Sequence, residues 1–100
     1  GAPGEYVDYA ASKAALDALT IGLAREVAAE GIRVNGVRPG IIDTEIHAGS
    51  GMLQMARAAV EAIPVKRMGT ADEVAQAVAF LLSDAAGYVT GATLDVAGGR

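Results

Sequence analysis

Tyr9 and Lys13 are the two residues of this 100-residue sequence whose types and spacing suit proton transfer. They lie four positions apart in YVDYAASKAAL, and such residues share one face of an α-helix. The phenol of a tyrosine titrates near about 10 in water, and a neighbouring cation stabilises the phenolate and lowers that pKa. The pair therefore suits general acid–base chemistry, although the spacing taken alone favours a tyrosine packed over a lysine stem.

A long helix must carry this pair. The alanine-rich and leucine-rich segment from about Val7 to Glu30 predicts it, with Gly31 at the C-terminus, where a positive φ is favoured. One stripe is expected to follow a 4-3-4-3-4 spacing through Tyr9, Lys13, Leu16, Thr20, Leu23 and Val27. The alanines elsewhere permit close neighbours, so burial is expected on several sides.

Two strands and a second helix are predicted downstream. The β-branched segment Ile32 to Val37 indicates a strand that ends at Pro39-Gly40, and a strand directly after a helix is typical of a parallel αβ unit. Residues 40–44 are expected to form a loop, and residues 45–63 a lid of one or two short helices closed by Pro64. Thr70 to Glu73 fits a capping box that opens a helix to about Ser83, and residues 92–96 can form a last strand.

Composition excludes several classes of function. The net charge of −4 and the lack of a basic cluster argue against a nucleic-acid partner. No apolar run approaches the roughly 20 residues of a membrane span, so a cytoplasmic setting is the default expectation. Without cysteine, and with His47 as the single histidine, no metal site is expected.

The apolar fraction is high for a small domain. It reaches 52%, with a mean hydropathy of +0.33, which predicts that something else covers part of the chain. The sequence also begins at Gly1 without a methionine, so it is expected to start within a longer gene product.

Three segments together resemble the short-chain dehydrogenase/reductase family. They are YAASKAAL, AAEGIRVNGVRPGIIDTEI and GTADEVAQAVAFLLSDAAGYVTGATLDVAGG, and they extend over nearly the whole chain. The signature of this family is Tyr-x-x-x-Lys on a helix that leads to a strand and a Pro-Gly loop. The resemblance implies an α/β fold, namely the C-terminal part of a Rossmann-like doubly wound parallel sheet.

The family resemblance also implies an activity. The full protein would be an NAD(P)-dependent oxidoreductase that transfers a hydride between nicotinamide and a carbonyl or secondary alcohol. Tyr9 would give or take the proton, and Lys13 would bind the nicotinamide ribose and lower the pKa of Tyr9.

A cofactor loop is also implied by the resemblance, and its matching residues here are Pro39, Gly40, Ile42 and Thr44. The backbone near Ile42 would bind the nicotinamide carboxamide, and the Thr44 hydroxyl would bind the carboxamide or a phosphate. Asp43, Glu45 and His47 are either substrate contacts or solvated loop residues.

The dinucleotide-binding half of the family is absent from these residues. The sequence has no glycine-rich Thr-Gly-x-x-x-Gly-x-Gly turn, and Ser12, Ser50 and Ser83 do not match the family's catalytic serine. The chain is therefore expected to be inactive alone and to associate with the missing half or with itself, the full protein being a homodimer or homotetramer. The alternative is a non-catalytic oligomerisation or interaction module derived from such an enzyme. The substrate and the choice of NAD or NADP are not readable.

Overall fold

The computed structural model describes residues 3–43 and 57–100. These residues form helices and short parallel strands, which confirms the predicted α/β class. The elements in chain order are helix α1 (Pro3–Val27), a 3-10 turn (Ala28–Glu30), strands β1 (Gly36–Pro39), β2 (Ile42–Asp43) and β3 (Gly69–Thr70), helix α2 (Ala71–Leu82), a 3-10 turn (Asp84–Ala86) and strand β4 (Thr93–Val96).

The chain divides into two compact units. The first comprises Gly1–Gly36 and Gly87–Thr93, and the second comprises Val37–Ala86 and Leu94–Arg100. Helix α1 therefore belongs to the first unit, and helix α2 with strands β2 and β3 belongs to the second.

Helix α1 buries a narrow face made of small side chains. Thr20 and Ala24 are buried, whereas Leu16 and Leu23 of the predicted stripe are exposed. The backbone of the first unit comes too close for leucine at this face, because a Cβ built on Gly91 would lie 3.5 Å from the Ala24 Cβ. All six residues of the predicted stripe lie on α1, but Leu16 and Leu23 are exposed, so the expected burial on several sides is not seen in the described residues.

The end of α1 is as predicted, but the strand after it begins late. Gly31 has φ 79° and donates its N–H to the Ala28 carbonyl at 3.0 Å. The sequence predicts the strand from Ile32, yet it begins at Gly36. Before that point a backbone bond joins the Gly91 N–H to the Val34 carbonyl at 2.7 Å, and side chains make the neighbouring bonds. The Asn35 side chain donates from Nδ2 to the Val89 carbonyl at 2.9 Å and accepts at Oδ1 from the Ala92 N–H at 3.1 Å.

Strands β1 and β4 pair in parallel. The Gly36 N–H donates to the Ala92 carbonyl and the Gly40 N–H to the Val96 carbonyl, each at 2.9 Å, so both chains advance in the same direction. Strands β2 and β3 are also parallel, with Ile42 opposite Gly69. The expected loop over residues 40–44 is therefore wrong at residues 42 and 43, because a two-residue strand carries no periodicity.

The capping box at α2 is confirmed. Thr70 is the N-cap, its Oγ1 accepts from the Glu73 N–H at 3.0 Å, and the Glu73 carboxylate accepts from the Thr70 N–H at 3.0 Å. Ser83 caps the C-terminus and Leu81 is buried. Of the predicted lid, residues 45–56 lie outside the described residues, residues 57–60 are helical, and Ile63 is buried.

A left-handed glycine turn closes the second unit. Gly98 has φ 65°, and a Cβ built on it would lie 2.6 Å from the Val65 Cγ2. Side chains rarely adopt this φ, and the space beside it is already filled.

We expect Gly98→Ala to lower the free energy of unfolding by about 1–3 kcal/mol, because the new methyl group overpacks against Val65. Gly22→Ala is the matched control: no atom lies within 4 Å of its Cβ position in the middle of α1, so it should stabilise by about 0.5–1 kcal/mol. Urea unfolding of the two variants measures both effects. Equal stability of the two variants would contradict the packing at Gly98.

Candidate active site

Tyr9 and Lys13 lie together on helix α1. The Lys13 Nζ is 5.8 Å from the centroid of the Tyr9 ring, within the distance at which a cation interacts with an aromatic face. The Tyr9 side chain is 67% exposed, whereas Lys13 is half-buried. The structure thus joins the two predicted residues and leaves the phenol accessible within the part of the chain that it describes.

The Pro39-Gly40 loop leaves strand β1 at its carboxyl end. Ligands of open α/β sheets gather at this end of the strands. A Cβ built on Gly40 would lie 2.8 Å from the Ala97 Cβ and 2.9 Å from the Ala97 Cα, so only glycine allows the loop to approach the end of β4 this closely. Pro39 is exposed and Gly40 half-buried.

Ile42 presents one edge of its backbone away from β3. The Gly69 N–H donates to the Ile41 carbonyl at 2.9 Å, and Gly69 is opposite Ile42 in the parallel register. In a parallel ladder a residue bonds to the two neighbours of its partner, so the N–H and C=O of Ile42 point to the other side. One donor and one acceptor are thereby directed as a pair that could meet a primary amide.

The predicted site residues fall into two groups, one in each unit. Tyr9 and Lys13 belong to the first unit, and Pro39, Gly40 and Ile42 belong to the second. Thr44, Glu45 and His47 lie outside the described residues, and Asp43 is exposed. The chemical roles assigned to all of them remain predictions.

An ion pair in the second unit was missed by the sequence reasoning. Arg67 and Glu73 form a bidentate pair, with Nη1 to Oε1 at 2.8 Å and Nη2 to Oε2 at 2.9 Å. The hydrogen bonds from Arg67, followed by the one from the Thr70 N–H, lower the pKa of Glu73 to about 2, and Glu73 raises the pKa of Arg67. The capping box was a signal for Glu73, but Arg67 lies six residues earlier, outside helical spacing.

A cavity adjoins this ion pair. Its volume is about 130 Å³, and its lining includes Arg67, Glu73, Ile41, Ile63 and Val96, all of the second unit. Over residues 3–43 and 57–100, no group of three or more His, Cys, Asp or Glu side chains could hold a metal ion. Over the same residues, no helix has both the length and the apolar character of a membrane span.

Comparison with known proteins gives consistent matches along the chain. The family described as "Enoyl-(Acyl carrier protein) reductase" matches residues 2–100. "Uncharacterized oxidoreductase YgfF" of Escherichia coli (strain K12) is 60% identical over 100 residues, which are 100% of this chain and 40% of that protein. "3-oxoacyl-[acyl-carrier-protein] reductase FabG" of Pseudomonas aeruginosa is 49% identical over 92 residues, covering 92% of this chain and 37% of that protein.

A steroid dehydrogenase is similar to this chain to about the same extent as FabG. "3beta-hydroxysteroid dehydrogenase 1" of Eggerthella lenta is 50% identical over 95 residues, covering 94% of this chain and 36% of that protein. The chain therefore spans 36 to 40% of the length of these curated relatives. The matches confirm the resemblance that the Tyr-x-x-x-Lys segment and the two later segments indicated.

The Arg67–Glu73 pair predicts a dependence of stability on pH. The pKa of Glu73 is lowered from 4.5 to about 2 in the folded protein. The stabilisation of the folded state by the ionised carboxylate is therefore fully present above pH 4.5 and is lost as the pH falls through about 2. We expect Glu73→Gln to lower stability at neutral pH and to flatten its pH dependence between pH 4.5 and 2. Urea unfolding over this range measures both changes.

Asp72→Asn is the matched control for this measurement. Asp72 lies in the same first turn of α2 but makes none of the bonds to Arg67 or Thr70. This variant should lose stability between pH 4.5 and 2 to the same extent as the parent protein. A Glu73→Gln variant with the same acid profile as Asp72→Asn would show that the ion pair is not formed in solution.

Proposed function

The chain belongs to the family described as Enoyl-(Acyl carrier protein) reductase, among the short-chain dehydrogenases/reductases, and on that premise we propose that it forms part of an NAD(P)-dependent oxidoreductase. The reaction is the transfer of a hydride between nicotinamide and a carbonyl or secondary alcohol. The observation that supports this most directly is the Lys13 ammonium 5.8 Å from the centroid of the exposed Tyr9 ring.

Tyr9 is the proposed proton donor and acceptor. During reduction, the carbonyl carbon gains a hydride and its oxygen takes the phenolic proton of Tyr9, and the alcohol is formed without a free alkoxide. During oxidation both transfers run in reverse. The Lys13 ammonium stabilises the phenolate that remains on Tyr9, because a nearby opposite charge favours the ionised form of the phenol. Bound nicotinamide supplies or accepts the hydride in this scheme.

The cofactor contacts are proposed from the loop after β1. The backbone edge of Ile42 offers one donor and one acceptor, which fit the C=O and NH₂ of a carboxamide. Gly40 lets the loop lie close to Ala97, and the ring of Pro39 restricts the backbone φ at the end of β1, where the loop begins. Contacts of Lys13 with the ribose and of Thr44 with the carboxamide or a phosphate rest on the family resemblance.

Three further proposals concern the full protein: which part of the domain these residues form, the class of its substrate and its cellular compartment. These residues would provide the C-terminal catalytic and substrate-loop part of one Rossmann-like domain, with the dinucleotide-binding half elsewhere in the full protein. FabG is named for a 3-oxoacyl group on a carrier protein and another relative for a 3β-hydroxysteroid, so the shared chemistry is a carbonyl or secondary alcohol. A cytoplasmic setting remains a prediction.

We expect Tyr9→Phe in the full-length protein to lower kcat by about 10²- to 10⁴-fold, because general acid–base catalysis contributes by that factor. Nicotinamide absorbance with a small panel of ketones and alcohols measures the rate. Tyr88→Phe is the matched control, since it removes the same hydroxyl from a fully exposed tyrosine outside the proposed site. Undiminished turnover in Tyr9→Phe would rule out the proposed role of the phenol.

The exposed apolar side chains of α1 are proposed to be covered in the full protein by the remaining part of the chain or by a second copy. Val7, Leu16 and Leu19 are each more than 60% exposed, and they lie on more than one side of the helix.

These 100 residues alone should therefore associate, and sedimentation velocity should show species heavier than the 10.0 kDa of one chain. Replacing Leu16 and Leu19 by glutamine should reduce the association by removing apolar surface. A compact monomer of the unmodified chain would contradict this proposal.

A further inference from the structure

The Glu73 carboxylate gathers hydrogen bonds from two directions. It accepts from both terminal nitrogens of Arg67, at 2.8 and 2.9 Å, and from the Thr70 N–H and hydroxyl, at 3.0 and 3.3 Å. Arg67 Nη1 also donates to the Met68 carbonyl at 3.1 Å. We call Arg67, Thr70 and Glu73 the acid clamp. It fixes the segment before α2 to the first turn of that helix with charge-assisted bonds, which are stronger than neutral ones.

The acid clamp holds the strand that supports Ile42. Thr70 is both a member of the clamp and the last residue of β3, and its neighbour Gly69 is opposite Ile42. A Cβ built on Gly69 would lie 2.9 Å from the Ile42 Cδ1, so the side chain of Ile42 rests on the bare backbone of β3. Any displacement of β3 therefore moves Ile42 and its outward backbone edge.

Apolar packing alone does not fix β3. The cavity of about 130 Å³ lies beside Gly69, Arg67 and Ile41, so this side of the strand lacks the dense contacts that would resist a shift. The strand itself is only two residues long, and its ladder is correspondingly weak. The acid clamp therefore adds to the backbone bond between the Gly69 N–H and the Ile41 carbonyl a second set of hydrogen bonds, which ties Thr70 to the first turn of α2.

We propose that the acid clamp is a positioning device that sets the backbone N–H and C=O of Ile42 for the carboxamide of bound nicotinamide. This inference rests on the proposed function, because the carboxamide is the ligand of that edge. The clamp residues do not touch the reacting atoms. They act through β3, and their loss shifts the donor and acceptor of Ile42 out of line with the amide.

The test uses Glu73→Gln in the full-length protein, with Asp72→Asn as the control of equal charge change. Hydrogen exchange reads the strand directly: the amide of Gly69, which donates to the Ile41 carbonyl, should exchange about tenfold faster in Glu73→Gln and at the parent rate in Asp72→Asn. Arg67→Met should reproduce the effect of Glu73→Gln, because it removes the other partner of the same ion pair.

The affinity for the cofactor measures whether the backbone of Ile42 is still correctly placed. The dissociation constants of the oxidised dinucleotide and of its 3-acetylpyridine analogue, which lacks the carboxamide N–H, are measured by titration with both the NAD and NADP series. The parent protein should bind the natural dinucleotide about tenfold more tightly than the analogue, as expected for one hydrogen bond worth about 1.4 kcal/mol. In Glu73→Gln this ratio should fall toward one, with kcat at saturating cofactor changed less than about twofold.

The outcomes separate this inference from the proposed function. A parent protein that binds neither dinucleotide series overturns the proposed function and the clamp's role with it. A parent protein that binds the natural dinucleotide better, together with a Glu73→Gln variant that keeps the same ratio, overturns the clamp alone. Unchanged exchange at Gly69 in both clamp variants also overturns it, because the strand would then be held without the ion pair.

Discussion

The parallel pairing of β1 with β4 is the constraint on which the rest of this structure depends. It joins segments almost sixty residues apart in the sequence, through Gly36 to Ala92 and Gly40 to Val96. Because both strands run in the same direction, their carboxyl ends lie at the same edge, and the Pro39-Gly40 loop leaves from there. At this edge the backbone of Gly40 lies so close to Ala97, the residue after β4, that a larger side chain at position 40 would collide with it.

Hydrogen bonds from polar side chains hold segments of this chain together, a role that apolar packing has in larger cores. Asn35 bridges the Val89 carbonyl and the Ala92 N–H, and Glu73 connects Arg67 to the N-terminus of α2. Both replace regular backbone ladders at points where a strand is short or has not yet begun. Few large apolar side chains are buried in the described residues, and directed hydrogen bonds therefore determine the register of these short strands.

Local signals were readable from the sequence, and contacts between distant segments were not. The capping box at Thr70, the left-handed Gly31 and the juxtaposition of Tyr9 with Lys13 each depend on residues within one helical turn or its end. The start of β1 was placed four residues too early, because the bonds of Asn35 to residues 89 and 92 cannot be seen in a local pattern. The buried small face of α1 at Ala24 cannot be seen in a local pattern for the same reason, because the backbone that lies against it, at Gly91, is distant in the sequence.

The Asn35 bridge has a consequence for the chemical ageing of the protein. Asn35 is followed by Gly36, a dipeptide whose side-chain amide is sterically open to attack by the next peptide nitrogen. Here both ends of that amide are engaged, by Val89 and Ala92, so the geometry opposes ring closure. Were the amide hydrolysed, a carboxylate oxygen would face the Val89 carbonyl with no hydrogen between them, and the repulsion would loosen the entry into β1. The same bond that replaces a missing stretch of ladder thus also protects the side chain that makes it.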